Sequence, residues 1–206
     1  EKFPSVRLEL AGSSDEGSIT AESMKKIMPV FSILILCIVL ITFRSKAQTF
    51  IVFLLMPFTL VGVYFGHLLH GLPISVLSGF GVVALIGVLV NDALVFITSF
   101  NLRLKKGESF FTALEQTSIN RFRPIILTTI TTVFGLLPLI FEKSMQAQFL
   151  IPMAISLSYG IIMATLLTLL FLPVLLLTVN NLRLFISKNN NRELVEPAVK
   201  ELRKEI

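Results

Sequence analysis

The sequence predicts an all-α membrane protein with five transmembrane helices and a short extracytoplasmic strand near its N-terminal end. Three observations predict it. The 206 residues are 54% hydrophobic and 15% charged, with a mean hydropathy of +0.84; a soluble domain has roughly 45–50% apolar and about 25% charged residues. Five apolar runs approach or exceed the length of a bilayer crossing, which takes about 20 residues. The basic residues alternate between the two sides of those runs, as the positive-inside rule requires. Such a composition excludes a soluble globular enzyme and a disordered chain. The single cysteine, Cys37, excludes an internal disulfide framework and a Cys-based zinc site and reads as a small apolar membrane residue.

Residues 1–26 are more polar than the apolar runs C-terminal to them. Val6-Arg7-Leu8-Glu9-Leu10 alternates like a short strand, and Gly12 to Ser18 is a polar loop. This segment reads as the end of a folded extracytoplasmic domain; the plainer alternative is a disordered arm. The chain opens Glu1-Lys2-Phe3-Pro4 with no Met, and the expectation is a C-terminal piece of something longer.

The membrane domain is expected over 27–179. The first span, 27–43, is apolar throughout. The second, 49–66, ends in Gly62-x-x-x-Gly66, a spacing that lets helix backbones approach closely; packing inside one bundle is favoured over dimerisation. The third, 74–100, contains one charge, Asp92. The fourth, 125–141, follows Arg121-Phe122-Arg123-Pro124, and Pro124 suits the first turn of a helix, where its missing N–H costs nothing. The fifth is placed at 152–179, with Pro152 beginning a segment that lies along the interface or tilts steeply. Gly135-Leu136-Leu137-Pro138 and Leu172-Pro173-Val174 are expected to bend or end their helices. Residues 180–206 are expected to form a cytoplasmic tail, polar and charged from 187 on.

Thirteen of the 18 Lys and Arg residues lie between spans one and two, between spans three and four, and after span five. These regions are therefore assigned to the cytoplasm and residues 1–26 to the outside. The net charge of +5 is absorbed by topology and anionic lipid, which argues against nucleic acid as a partner. Between spans three and four, residues 107–120 place Phe110, Phe111, Leu114 and Ile119 near one helical face. That pattern suits an amphipathic helix on the cytoplasmic interface, acting as an anchor or passing motion between helices.

Asp92 is the only ionisable side chain inside an expected span. A carboxylate near the bilayer centre costs roughly 3 kcal/mol, and such groups mark ion or proton routes when they are not hydrogen-bonded structural carboxyls. Asn91 adjoins it, about 100° round the helix. Ala84, Gly87, Asn91 and Thr98 form one stripe of small and polar residues, expected to pack against another helix. In span four, Thr128 and Thr132 share a face, with Thr131 close by. Their hydroxyls form a polar track, or bond their own backbone or a neighbouring helix. His67 and His70 are three apart; with no third ligand evident, an interfacial pair is favoured over a metal site. No nucleotide loop, Gly-x-Ser-x-Gly or His-Glu-x-x-His is present. Catalysis is not expected, and neither is a cofactor.

Several of these motifs, in this order, resemble the RND (resistance–nodulation–cell division) transporters. They are Gly87-Val88-Leu89-Val90-Asn91-Asp92-Ala93-Leu94-Val95, then Arg121-Phe122-Arg123-Pro124-Ile125-Ile126-Leu127-Thr128-Thr129, then Gly135-Leu136-Leu137-Pro138-Leu139, and finally Leu172-Pro173-Val174. Phe3-Pro4 through Gly12 and Asp15-Glu16 look like the last strand and loop of that family's second periplasmic porter region. The resemblance runs from residue 3 to about 185 and is nearest the multidrug efflux branch. It implies the eighth to twelfth helices of an inner-membrane homotrimer exporting amphiphilic compounds in exchange for protons. It further implies work with a periplasmic adaptor and an outer-membrane channel. A position that is often Lys in the family's proton relay is Asn91 here, Thr128 matches a relay hydroxyl, and Arg121 matches a basic residue at the start of the eleventh helix. The family's aspartate pair on the fourth helix is not in this sequence. Asn cannot titrate, so Asp92, or the absent aspartates, would carry the proton. The alternatives are an accessory of protein export or lipid trafficking built on the same helices, and a non-transporting membrane scaffold.

Overall fold

The computed structural model describes residues 45–189 continuously, with scattered residues between 22 and 41. Those scattered residues, Ile27, Val30, Ile33, Leu34, Ile38 and Ile41 among them, are helical and exposed. The expected strand at 6–10, much of the first span and the tail beyond 189 lie outside the described residues. The chain divides into two compact units, Glu1–Ile35 and Leu36–Ile206, and the long helices belong to the second. Every regular element among the described residues is helical. Apolar segments this long meet no water in hydrocarbon, and a helix satisfies each backbone N–H and C=O within the segment.

In chain order, α1 is Lys46–His70, α2 is Val76–Lys105, α3 is Phe110–Ile140 and α4 is Met145–Gln148. Then α5, Ile151–Leu166, passes through a π-helical turn, Leu167–Phe171, into α6, Leu172–Asn189. Among the described residues, four stretches are long and apolar enough to cross a membrane: Ala47–His70, Val76–Lys105, Phe110–Ile140 and Ile151–Leu182. The boundaries have local causes. Gly71 ends α1 in a left-handed conformation (φ 63°), its N–H donating to Leu68 O and that of Leu72 to His67 O. Ser75 and Ser78 form a reciprocal capping box at the start of α2. Gly107, at φ 90°, turns the chain from α2 towards α3, and Arg103 bridges that turn through a two-oxygen contact with Glu108 at 3.1 Å.

Two expectations change at α3. Pro124 does not start the helix; it sits inside one continuous 31-residue helix. The amphipathic segment is the first part of that same helix, and its face divides. Phe110 is 2% exposed and packs edge-on against Phe100 of α2, with ring centroids 5.2 Å apart, and Leu114 is also buried. Phe111 is 65% exposed, and Ile119 is exposed as well. Burial of Phe110, Ala113, Leu114 and Thr117 at i, i+3, i+4 and i+7 carries the helix through the proline. The segment 121–140 is twenty residues long, so Arg121 and Arg123 stand where a roughly 30 Å hydrocarbon layer would end. The last helix also runs on past Val179, to Asn189. The expected disturbance near Pro173 takes the form of the π-helical turn immediately before it. Proline lacks an N–H and its ring crowds the carbonyl four residues earlier, and the wider turn relieves that crowding.

The helix α5 packs against α1, α2 and α3. Small residues set how close it comes. A Cβ added at Gly62 would lie 2.6 Å from both Met163 Cβ and Tyr159 O, and one at Gly66 would lie 2.6 Å from Tyr159 Cγ. On α2, a Cβ at Gly81 would meet Met153 O at 2.5 Å. On α5, Gly160 is filled by Leu85 of α2. The α3–α5 contact is polar at one point: Thr129 Oγ1 donates to its own helix at Ile125 O (2.9 Å) and is hydrogen-bonded to the hydroxyl of Thr165 on α5. At the opposite end from Gly71, Gln48 of α1 and Asn101 of α2 exchange two amide hydrogen bonds of 2.8 and 3.0 Å.

Two outcomes are expected of the full-length protein. Gly62→Ala should destabilise it by about 1–3 kcal/mol, because the obstructing atoms include backbone; thermal unfolding in detergent measures this, and an unchanged midpoint would contradict the packing. A double-mutant cycle of Thr129→Val and Thr165→Val should return a coupling of about 0.6–1.7 kcal/mol, the range for interhelical hydrogen bonds in membranes. Thr131→Val, which removes only bonds to the helix's own carbonyls at Leu127 and Thr128, should be near neutral.

Candidate functional site

The candidate site is a cleft between α2 and α3. Asp92 and Val95 line it from α2, and Arg121, Pro124, Ile125 and Thr128 line it from α3. The two sets are helical stripes: 92 and 95 are i, i+3, while 121, 124, 125 and 128 are i, i+3, i+4 and i+7. Its volume is about 100 Å³, room for several waters. Asp92 and Arg121 are each half-buried. Among the described residues no hydrogen bond or ion pair joins them directly. An acid and a permanently charged guanidinium thus share one small space beside apolar walls, where Coulomb forces act at a lower effective dielectric than in water.

Three of the four coupling candidates from the sequence, Asp92, Arg121 and Thr128, meet in this cleft. Asn91 does not line it. It is exposed on the neighbouring face of α2, together with Ala84, Gly87 and Thr98. No atom lies within 4 Å of a Cβ added at Gly87, so among the described residues this small-residue stripe has no packing partner. Gly62 and Gly66, by contrast, are pressed against α5.

The threonines divide by partner. Thr128 Oγ1 donates to Ile125 O (2.9 Å), and Thr131 and Thr132 both reach Thr128 O, at 3.0 and 2.8 Å. Their hydroxyls therefore bond their own helix, and only Thr129 among these four bonds a neighbouring one. The absent N–H of Pro124 leaves the carbonyl of Asn120, one turn below, without its helical donor. His67 and His70 have separate partners, Ser78 Oγ at 2.6 Å and Tyr159 OH at 3.1 Å. Among the described residues no group of three or more His, Cys, Asp or Glu could hold a metal ion.

Sequence reading missed Val95, Pro124 and Ile125 as cleft residues, although their helical spacing from Asp92, Arg121 and Thr128 was there to be read. It also missed Tyr159, Gly81 and Gly160, whose significance depends on which helix faces which.

Comparison with known proteins identifies the family. A family model described as the AcrB/AcrD/AcrF family matches residues 2–180. The multidrug resistance protein MdtC of Salmonella paratyphi B is 31% identical over 196 residues, covering 94% of this chain and 19% of MdtC. The nickel and cobalt resistance protein CnrA of Cupriavidus metallidurans is 30% identical over 172 residues, covering 84% of this chain and 16% of CnrA. The chain thus spans less than one fifth of the length of these relatives. A crystal structure of a heavy metal efflux pump superposes with a TM-score of 0.72 at 23% identity, over 88% of this chain and 18% of that one, showing the shared fold. With a match spanning nearly all of its apolar helices, the chain belongs to the AcrB/AcrD/AcrF family of RND efflux transporters.

Proposed function

We propose that this chain is the C-terminal membrane part of a proton-driven RND exporter of amphiphilic small molecules in the bacterial inner membrane. The observation that supports this most is the meeting of Asp92, Arg121 and Thr128 at one small cleft beside the exposed face of Asn91. In the proposed cycle a proton binds a carboxylate oxygen of Asp92. The neutral carboxyl no longer attracts the Arg121 guanidinium, and its hydroxyl donates a hydrogen bond into the cleft. Release of the proton restores the attraction. An elementary charge crossing 100 mV is worth about 2.3 kcal/mol, comparable with the cost of an ionised carboxylate at that depth. Such a proton can reset the balance between two helix arrangements.

The complete pump is proposed to be a homotrimer working with a periplasmic adaptor and an outer-membrane channel, with the proton gradient in place of a cofactor. The charge pattern supports residues 1–26 outside and the C-terminal end inside. Metal-cation export is the second reading. It is favoured by the near-equal identity to a protein named for multidrug resistance and one named for nickel and cobalt resistance. That near-equality fits a segment that drives transport while substrate is chosen elsewhere.

In proteoliposomes holding the full-length transporter under an imposed proton gradient, Asp92→Asn should lower coupled efflux by at least about tenfold, as loss of a proton site would. Thr128→Ala, which removes a cleft hydroxyl but no charge, should have the smaller effect. Undiminished coupled efflux by Asp92→Asn would remove Asp92 from the mechanism. Protection of a pump-deleted strain from amphiphilic dyes, against protection from nickel or cobalt, separates the two substrate readings.

A further inference from the structure

His67 stands outside the cleft, about 21 Å from Asp92 along α2 if measured from its partner Ser78. It is 3% exposed, and its two ring nitrogens have unequal lots. Nε2 lies 2.6 Å from Ser78 Oγ, whereas Nδ1 is buried with no partner among the described residues. Ser78 is no ordinary partner. Its hydroxyl accepts the N–H of Ser75 (3.0 Å) in the capping box that begins α2. The backbone of His67 is committed as well, because its carbonyl accepts the N–H of Leu72 and so closes the end of α1. One residue therefore fastens the last turn of α1 to the first turn of α2, across the five residues Gly71–Ser75.

The titratable neighbours are few. His70 is one turn further along α1 and bonds Tyr159 OH of α5; α2 offers His67 only the hydroxyls of Ser75 and Ser78. At the end of α3, Glu142 and Lys143 are exposed, and the Glu142 carboxylate accepts the N–H groups of Lys143 and Ser144. Among the described residues no carboxylate bonds either histidine.

We propose that His67 is a proton-binding site that acts as a clasp between α1 and α2 at the end of the bundle assigned to the outside. A neutral imidazole needs only one N–H, and Ser78 can serve Nε2 as donor or as acceptor. An imidazolium carries N–H on both nitrogens. Its Nδ1–H would be a buried charged donor without an acceptor, and the positive charge would sit one turn from His70. The turn 71–75 must then move until Nδ1 reaches water, and the hydrogen bond to Ser78 is lost. Acid on that side thus loosens the α1–α2 turn while the Tyr159 contact holds α1 to α5.

The test is a nitroxide label at Leu72→Cys, a turn position, in the full-length protein with Cys37→Ala. Its mobility is read by electron spin resonance in liposomes between about pH 8 and pH 4, a window that extends below the range of an exposed histidine. The mobile-to-immobile ratio should rise about two- to tenfold on acidification, the population change that one net hydrogen bond commands. In His67→Gln the ratio should not change with pH, and in His70→Gln the rise should persist. Ser78→Ala, which keeps His67 but removes its partner, should be mobile at both pH values. A pH-independent ratio in the parent protein, an equal rise in His67→Gln, or a Ser78→Ala label as immobile as the parent at pH 8 would each overturn the clasp.

Discussion

The close approach of α5 to α1 and α2 governs the rest of the structure. In hydrocarbon, helices gain nothing from hiding apolar surface from one another, so association rests on van der Waals contact and a few interhelical hydrogen bonds. Contact of that quality requires backbones to come together, and Gly62, Gly66, Gly81 and Gly160 allow it. With α1 and α2 seated on α5, α3 is fixed in turn by Thr129 against Thr165 and by Ile140 against Ala154 and Ile155. That setting turns the stripe of Arg121, Pro124, Ile125 and Thr128 towards Asp92. The cleft is thus a product of glycine packing some distance from it.

Charge is distributed with the same economy. The bidentate Arg103–Glu108 contact is partly solvated and contributes little to stability; its use is to shape the turn between α2 and α3. Asp92 and Arg121 are different, because both line one cleft large enough for water and no hydrogen bond or ion pair joins them directly. An ion pair locked in place resists switching, whereas two charges with a gap between them respond to a change in either. Asn91 carries no charge and does not line the cleft, which leaves Arg121 as the cation among the described residues lining it.

Much of this was legible in the sequence. Apolar runs bounded by charge mark membrane helices because the bilayer imposes one length on them. Asp92 stood out because an acid in hydrocarbon needs a reason to be there. Gly62-x-x-x-Gly66 announced a close contact, although not that Tyr159 and Met163 would fill it. What stayed hidden was relational. Pro124 has the residue type of a helix start, yet the burial of Phe110 and Leu114 against the bundle outweighs the local preference. Phe110 and Phe111 look equivalent in a sequence and differ completely once α2 lies beside one of them. Of four clustered threonines, nothing in their spacing singles out Thr129 as the one that crosses to α5. The capping box at Ser75 and Ser78 lacks the usual acidic or amide partner, so the link from His67 could not be read.

The exposed stripe of α2 ties these points together. Ala84, Gly87, Asn91 and Thr98 are small or polar and have no packing partner among the described residues, while the relatives are more than five times longer than the segment they share with this chain. Such a face is costly against lipid and suits close contact with other helices of one pump. The most direct test is oxygen accessibility of single nitroxide labels at positions 84, 87, 91 and 98 of the full-length transporter in liposomes. Low accessibility at all four, well below that of a label in bulk hydrocarbon, is the predicted result. Accessibility at all four equal to that of lipid-dissolved label would mean that the face of Asn91 meets the membrane, and would contradict a helix contact there.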